Sequence, residues 1–315
     1  MHPWPWRARV GNETPVTPLT LFSFAKINPV LRVLRKRPDG FHDIETILQT
    51  VDLTDSLTFT PATSGVHLTC TEPSVPVDHR NLAHKAVALV QSRYGCKQGI
   101  KIHIEKRIPV AAGLAGGSGN AAVTLHALNR MWALHLGEGE LLSLAAELGS
   151  DTPFCLYGGT ASGQGRGEQL SWLDVVSSGH FVLVNPPCTV SAAWAYQNLK
   201  LGLTNAMSRI NLDVSALQAG CLDHWLSRWH NDLEAPVQVE YPMVDQARRL
   251  LKTVGAIRVL MSGSGPTVFG FYSERTKAVQ AANTVRQQLG IGWRVYVVSP
   301  VSRRDIAERQ GFLVR

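Results

Sequence analysis

No stretch of this 315-residue chain approaches the roughly 18 consecutive apolar residues that a membrane-spanning helix needs, so no membrane partner is expected. Cysteine is scarce and unpatterned. Cys70, Cys96, Cys155, Cys188 and Cys221 are odd in number and show no C-x-x-C spacing. That argues against a disulfide framework and a zinc site, predicts a reducing, cytoplasmic setting, and leaves most of the thiols as core residues. The eleven histidines form no H-E-x-x-H pattern, and His126 and His135 share a predicted helix at the wrong spacing for one metal. Zinc-finger, basic-zipper and RNA-recognition signatures are lacking, as are internal repeats and low-complexity tracts.

What is present is the composition of a globular protein, 44% hydrophobic and 17% charged, with a net charge of +7. The excess of positive charge fits an anionic partner, either nucleic acid or a phosphorylated small molecule. The densest basic cluster, Arg32, Arg35, Lys36 and Arg37, precedes an Asp39-Gly40-Phe41-His42 turn and does not form a long basic helix. Such a cluster is often only a solvated face. Residues 1–20 hold four prolines, two tryptophans, two arginines and one glutamate. They lack the apolar core of a secretory signal and are expected to be a disordered or loosely attached extension.

The most informative segment is Pro109-Val110-Ala111-Ala112-Gly113-Leu114-Ala115-Gly116-Gly117-Ser118-Gly119-Asn120-Ala121-Ala122. Before it, Ile100–Glu105 alternates apolar and polar residues as a half-buried strand does; after it, Ala121, Leu125, Leu128 and Trp132 recur at helical spacing. A loop with so little side-chain bulk lets an anion approach the backbone, and the following helix adds free N–H groups and the positive end of its dipole. Strand, loop and helix together make a phosphate cradle. A P-loop would need Lys where Ser118 stands. The dinucleotide fingerprint fits residues 117–122 loosely, but the preceding strand ends too early, and Glu138, at the distance of its acidic residue, opens another helical run. Tight packing of a Gly/Ala loop is the alternative without a ligand.

Elsewhere the pattern predicts strands over 21–33, 44–53, 57–70, 100–107, 181–184, 256–261, 268–272 and 293–298. It predicts helices over 81–94, 118–136, 141–148, 241–253 and 273–289, and a glycine-rich turn over 158–167 between edge strands. Strands interleaved with helices in this order suit an α+β protein with helices on one face of a sheet. The domain change is placed at 178/179, giving units 21–178 and 179–315.

Pro109-x-x-x-Gly113-Leu114-x-Gly116-Gly117-Ser118-x-Asn120-Ala121 resembles the ATP loop of the GHMP kinases. Ala25-Lys26-Ile27-Asn28, Arg37-Pro38-Asp39-Gly40-Phe41-His42, Gly149-Ser150-Asp151-Thr152-Pro153-Phe154, Asn231-Asp232-Leu233-Glu234 and Met261–Phe269 extend the resemblance from Phe24 to Tyr272. They are most similar to the branch acting on a cytidine-diphosphate-linked methylerythritol in the non-mevalonate isoprenoid pathway. The resemblance implies a ribosomal-protein-S5-like N-terminal domain, a ferredoxin-like C-terminal domain and an active site in the cleft between them. It implies ATP with Mg²⁺, a small-molecule acceptor, no nucleic acid, and a monomer or weak homodimer.

The resemblance also implies roles. Residues 109–120 hold ATP, Asp151 takes the acceptor hydroxyl proton and Lys26 sits beside it. Asn28 and His42 contact the acceptor, His42 reading the cytosine edge, while Phe41 and Tyr196 pack on it. Each has a plainer reading. Asp151 or Ser118 could cap a helix, Lys26 could snorkel, His42 could be incidental to a hairpin, and Tyr196 could be a core or surface aromatic. Two positions depart from the pattern: Phe41 replaces Tyr, and Gly119 replaces a second Ser. No glutamate matches the position often used for Mg²⁺, so the metal ligands stay open. Alternative readings are another GHMP kinase, of the homoserine or mevalonate-pathway type, or a non-catalytic nucleotide- or RNA-binding protein.

Overall fold

A computed structural model describes residues 18–175, 179–199 and 209–311. Of the extension expected over residues 1–20, residues 1–17 lie outside the described residues, as do 176–178 next to the expected domain change, while Leu19 and Thr20 instead open the first strand. In chain order the elements begin with β1 (Leu19–Lys36), β2 (His42–Ala62), β3 (Val66–Cys70), α1 (Leu82–Tyr94), β4 (Gly99–Glu105), α2 (Gly116–Met131), α3 (Glu138–Leu148), α4 (Thr152–Tyr157), β5 (Thr160–Gln164) and β6 (Gln169–Leu173). They continue with β7 (His180–Asn185), α5 (Ala192–Gln197), α6 (Ile210–Gln218), α7 (Leu222–Ser227), β8 (His230–Asn231), α8 (Glu234–Glu240), α9 (Pro242–Thr253), β9 (Arg258–Met261), β10 (Val268–Tyr272), α10 (Arg275–Gln288), β11 (Arg294–Val298) and α11 (Arg303–Arg309).

The first sheet runs β3-β4-β2-β1-β8, with β5 on β2 and β6 on β5; the second runs β11-β7-β10-β9 and is antiparallel throughout. Two residues of the second half, His230 and Asn231, pair in parallel with Val30 and Leu31 and so join the first sheet. Strand β7 explains how the layers stack. Phe181 and Leu183 point into a core shared with Ile27, Val51, Trp229 and Phe269, whereas Val182 and Val184 point to the core beneath α9 and α10. Alternation of side chains across a strand buried on both faces gives the continuous apolar run of its sequence.

The predicted strands at 44–53 and 57–70 are divided differently. One 21-residue strand, β2, runs through the turn-like residues between them. Its register with β1 shifts where Phe24 faces Thr54 but Ala25 faces Val51, so the irregularity is absorbed as a bulge. Asp55, a turn former by composition, is fully buried; it accepts N–H groups of Arg107 and Ile108 at 2.8 Å and the Lys106 ammonium at 2.6 Å. Satisfied in this way, the carboxylate stabilises the entry to the Gly loop and does not break the strand.

Helix α2 also differs from its predicted span, beginning at Gly116 and stopping at Met131. Ala133 and His135 adopt positive φ, and the Asn129 side chain bonds both the N–H and the C=O of Leu136. The predicted glycine-rich turn is a turn only over 165–167, because Thr160–Gln164 pairs with β2 as β5.

Candidate active site

The first turn of α2 points into a cavity of about 1060 Å³ between the two halves of the chain. Its wall holds Lys26, Asn28, Phe41, His42, Asp151, Tyr196, residues 109–113, residues 115–118 and Asn120. Leu114 and Gly119 are not in the wall. Leu114 is a buried core residue, and a side chain on Gly119 would meet the Ser23 hydroxyl of β1 at 2.3 Å. Position 119 is therefore a packing site between α2 and β1, so the glycine there is explained by that close approach. Gly119→Ser is expected to cost about 1–3 kcal/mol through overpacking. Thermal unfolding of the variant checks this; an unchanged midpoint would remove the packing account.

The loop backbone has the conformation an anion cradle needs. Ala111, Gly113 and Ala115 have positive φ at alternate positions, an arrangement that gathers N–H groups into a concavity. The N-cap of α2 is Ala115, which has no capping side chain. The N–H groups of residues 116–118 therefore stand at the helix start with the dipole behind them. Ser118 lies inside the first turn and is not the cap, so its hydroxyl belongs to the cavity wall.

Lys26 and Asn28 lie on one face of β1, and the Lys26 ammonium donates to Asn28 Oδ1 at 2.7 Å and to Gly113 O at 3.0 Å. Lys26 is 4% exposed, so its head is held inside and does not snorkel to bulk water. Its third neighbour is Asp151 Oδ2 at 3.6 Å. Asp151 occupies the N-cap position of α4, yet its side chain makes no capping bond. The carboxylate is instead free to meet a group in the cavity beside Lys26. The second Gly-rich turn closes the arrangement from behind. Ser262 Oγ donates to Gly113 O at 3.0 Å, and Gly263 and Ser264 line the cavity.

In the same cavity, the His42 and Tyr196 rings stack with centroids 5.1 Å apart and planes 20° apart. Burial, with a smaller contribution from the Lys36 ammonium, holds the His42 imidazole below its ordinary pKa, which favours the neutral ring at pH 7. Burial pushes the Tyr196 phenol up. Phe41 is half exposed, with the Arg166 guanidinium 5.0 Å above its ring. Three arginines of the basic cluster are matched internally. Arg32 pairs with buried Asp213, Arg35 with Asp43, and Arg37 with Asp39 and Asp43. Lys36 alone of that cluster faces the cavity.

Sequence reasoning missed several residues of this wall. Arg166 sits in a run read only as a turn, and Lys106 in one read as a strand end. Asn81, Leu82, Val75 and Pro76 flank the cradle with a mixed apolar and amide surface. None carries a local signal, because segments distant in sequence meet only once the sheet has formed. Among the described residues no group of three or more His, Cys, Asp or Glu side chains is arranged to hold a metal ion.

A two-domain α+β protein whose glycine-rich helix start faces a lysine–aspartate pair has the architecture of a small-molecule kinase. Comparison with known proteins agrees. Residues 81–159 match the GHMP kinases N terminal domain and residues 210–291 match the GHMP kinases C terminal domain. The chain belongs to the GHMP kinases. Within them it groups with the 4-diphosphocytidyl-2-C-methyl-D-erythritol kinases. It is 45% identical to the protein of that name from Synechococcus sp. (strain JA-2-3B'a(2-13)), covering 85% of this chain and 90% of the relative. It is 41% identical to that of Bacillus subtilis (strain 168), covering 89% and 96%. A crystal structure of 4-(cytidine 5'-diphospho)-2C-methyl-D-erythritol kinase superposes with a TM-score of 0.75 at 30% identity, covering 89% of this chain and 99% of that one. Homoserine kinase from Cytophaga hutchinsonii, at 20% identity and a TM-score of 0.70, shares the fold.

Proposed function

We propose that the chain transfers the γ-phosphoryl group of ATP to the 2-hydroxyl of 4-diphosphocytidyl-2-C-methyl-D-erythritol, releasing ADP and the 2-phosphate. The observation that carries this reading is the juxtaposition of an uncapped, glycine-rich helix start, the Lys26–Asp151 pair and the His42–Tyr196 stack in one cavity. Phosphoryl transfer asks the protein mainly for alignment and charge stabilisation. The amides of residues 113–118 hold the phosphates. Asp151 accepts the proton of the acceptor hydroxyl as that oxygen attacks phosphorus, and Lys26 stabilises negative charge on the oxygen and the transferring group. Lys26 is held in place by Asn28 and Gly113 O.

Mg²⁺ accompanying ATP neutralises phosphate charge. Of the cavity's donors, Ser118 Oγ would be the one to hold it, as suits an ion that keeps several waters and takes only one or two protein ligands. Val75, Pro76 and Leu82 form an apolar surface for the nucleotide base. At the acceptor end Arg166 and Lys36 provide cations for a diphosphate.

His42 and Tyr196 already touch, so a base does not fit between them. It stacks on Tyr196 and displaces the His42 ring to its edge, where a neutral imidazole both donates and accepts. Phe41 offers a ring without the hydroxyl of its usual counterpart. His42→Ala is expected to raise KM for the cytidyl acceptor by about tenfold, the worth of roughly one hydrogen bond plus stacking, with KM for ATP nearly unchanged. An equal rise in both constants would count against base recognition.

The overall reading is tested by coupled ADP release with a panel of acceptors. The cytidyl methylerythritol should be preferred over homoserine and mevalonate, and a preference for either of the latter would overturn it.

A further inference from the structure

We propose that the protein carries a second anion-binding pocket, remote from the catalytic cleft, that takes a small phosphoryl-bearing molecule and acts on the Gly263 turn. The pocket, of about 400 Å³, lies where α8 and α9 pack against the free edge of β9. Its volume is within the usual range for small-molecule sites, about 300–1,000 Å³.

Charge and hydrogen-bonding capacity both select an anion. Arg248, Lys252 and Arg258 line the pocket against a single carboxylate, Glu234. Arg248 reaches that carboxylate at 3.4 Å, and Arg258 spends one nitrogen on Trp229 O at 2.9 Å. Lys252 makes no ion pair among the described residues. One further polar group of the wall, the Gln238 amide nitrogen, is shielded from solvent and has no partner in the protein. It is a donor, and a buried donor without an acceptor costs about 1–3 kcal/mol. A ligand rich in acceptor oxygens supplies partners for these donors, and the forked guanidinium groups match phosphoryl oxygens in pairs.

The pocket wall also holds the back of the catalytic turn. Glu234 Oε2 accepts Met261 N–H at 2.7 Å, and the Asn231 amide donates to Met261 O and Gly263 O at 2.8 Å each. Gly263 lines the cleft, and Ser262 between them holds Gly113 O of the phosphate loop. An anion that draws Arg248 away from Glu234 alters the carboxylate that positions Met261. Its effect therefore reaches the cradle through two hydrogen-bonded residues, and by linkage nucleotide binding alters anion affinity to the same degree.

The site does not depend on which reaction the cleft performs, because its readout is binding. Pyrophosphate is titrated calorimetrically into the full chain with the cleft saturated by a non-hydrolysable ATP analogue. The expected result is one further equivalent bound. Its affinity should fall at least about tenfold in Arg248→Ala/Lys252→Ala and, independently, in Lys252→Glu, with unfolding midpoints unchanged. The apparent affinity for the ATP analogue should depend on pyrophosphate in the parent chain and not in the double variant. Absence of a further equivalent, or binding that both variants leave intact, overturns the proposal. Binding lost in the variants without any effect on the analogue removes the coupling to the Gly263 turn.

Discussion

Asp151→Asn is expected to lower kcat by about 10²–10⁴-fold, the usual contribution of a positioned general base, while leaving the affinity for ATP nearly intact. The two effects separate because of where the side chain sits. Asp151 starts α4 without capping it, so its removal leaves no orphaned helix donor. It lies across from Lys26 at 3.6 Å and makes no hydrogen bond to the residues that form the phosphate loop. Asparagine keeps the shape and the helix start but has no basicity with which to accept the hydroxyl proton. Steady-state kinetics with a direct nucleotide-binding measurement distinguish the outcomes. Unchanged turnover would remove Asp151 as the base, and a parallel collapse of ATP binding would make it part of the nucleotide site.

Gly113→Ala is expected to damage both the fold and the nucleotide site. Gly113 has φ of +73°, in the left-handed region, where a residue with a β-carbon carries a strain of about 1–3 kcal/mol. The added carbon would meet Ser262 O at 2.1 Å and the Gly265 backbone at 3.1 Å, atoms that cannot swing aside as a side-chain tip does. Gly113 O also receives hydrogen bonds from both Lys26 and Ser262. A shift of this residue thus parts the two glycine turns and pulls the Lys26 ammonium out of line. Loss of alignment by about 1 Å is enough to cost about 10²-fold in rate. Expected are a lower unfolding midpoint, weaker ATP binding and at least that loss in kcat/KM. Gly117→Ala is the contrast. Its added carbon meets only Leu82 at 3.7 Å, so ATP affinity should fall while the midpoint holds. A Gly113→Ala protein of normal stability and affinity would contradict the interlocked-turn account.

Most of the local chemistry was readable from the sequence because it depends on contiguous residues. The 109–120 loop, the alternation that puts Lys26 and Asn28 on one strand face, and the Asp-Gly-Phe-His turn each announce themselves within a few positions. Helix ends were readable where their caps are local, as at Asn81 and Gly95, which begin and end α1. The misreadings share one cause, which is contact between segments far apart in the chain. Asp55 reads as a turn residue because an exposed aspartate favours turns; buried under Lys106 and two backbone amides it lets β2 run straight through. Gly119 reads as part of the phosphate loop, yet only the approach of Ser23 from β1 explains its lack of a side chain. Arg166, Lys106 and the pocket behind Gly263 were invisible for the same reason: each is made by segments far apart in the chain. The basic run at 32–37 suggested an anionic partner by charge alone, but internal carboxylates match three of its four cations and leave Lys36 for the cavity.

The most direct test is a crystal structure of the chain with a non-hydrolysable ATP analogue and the cytidyl acceptor bound together. The account predicts the β- and γ-phosphates seated on the amides of residues 113–118, with the acceptor 2-hydroxyl hydrogen-bonded to Asp151 and in line with the terminal phosphorus beside Lys26. A triphosphate lodged elsewhere, or an acceptor oxygen out of reach of Asp151, would contradict it.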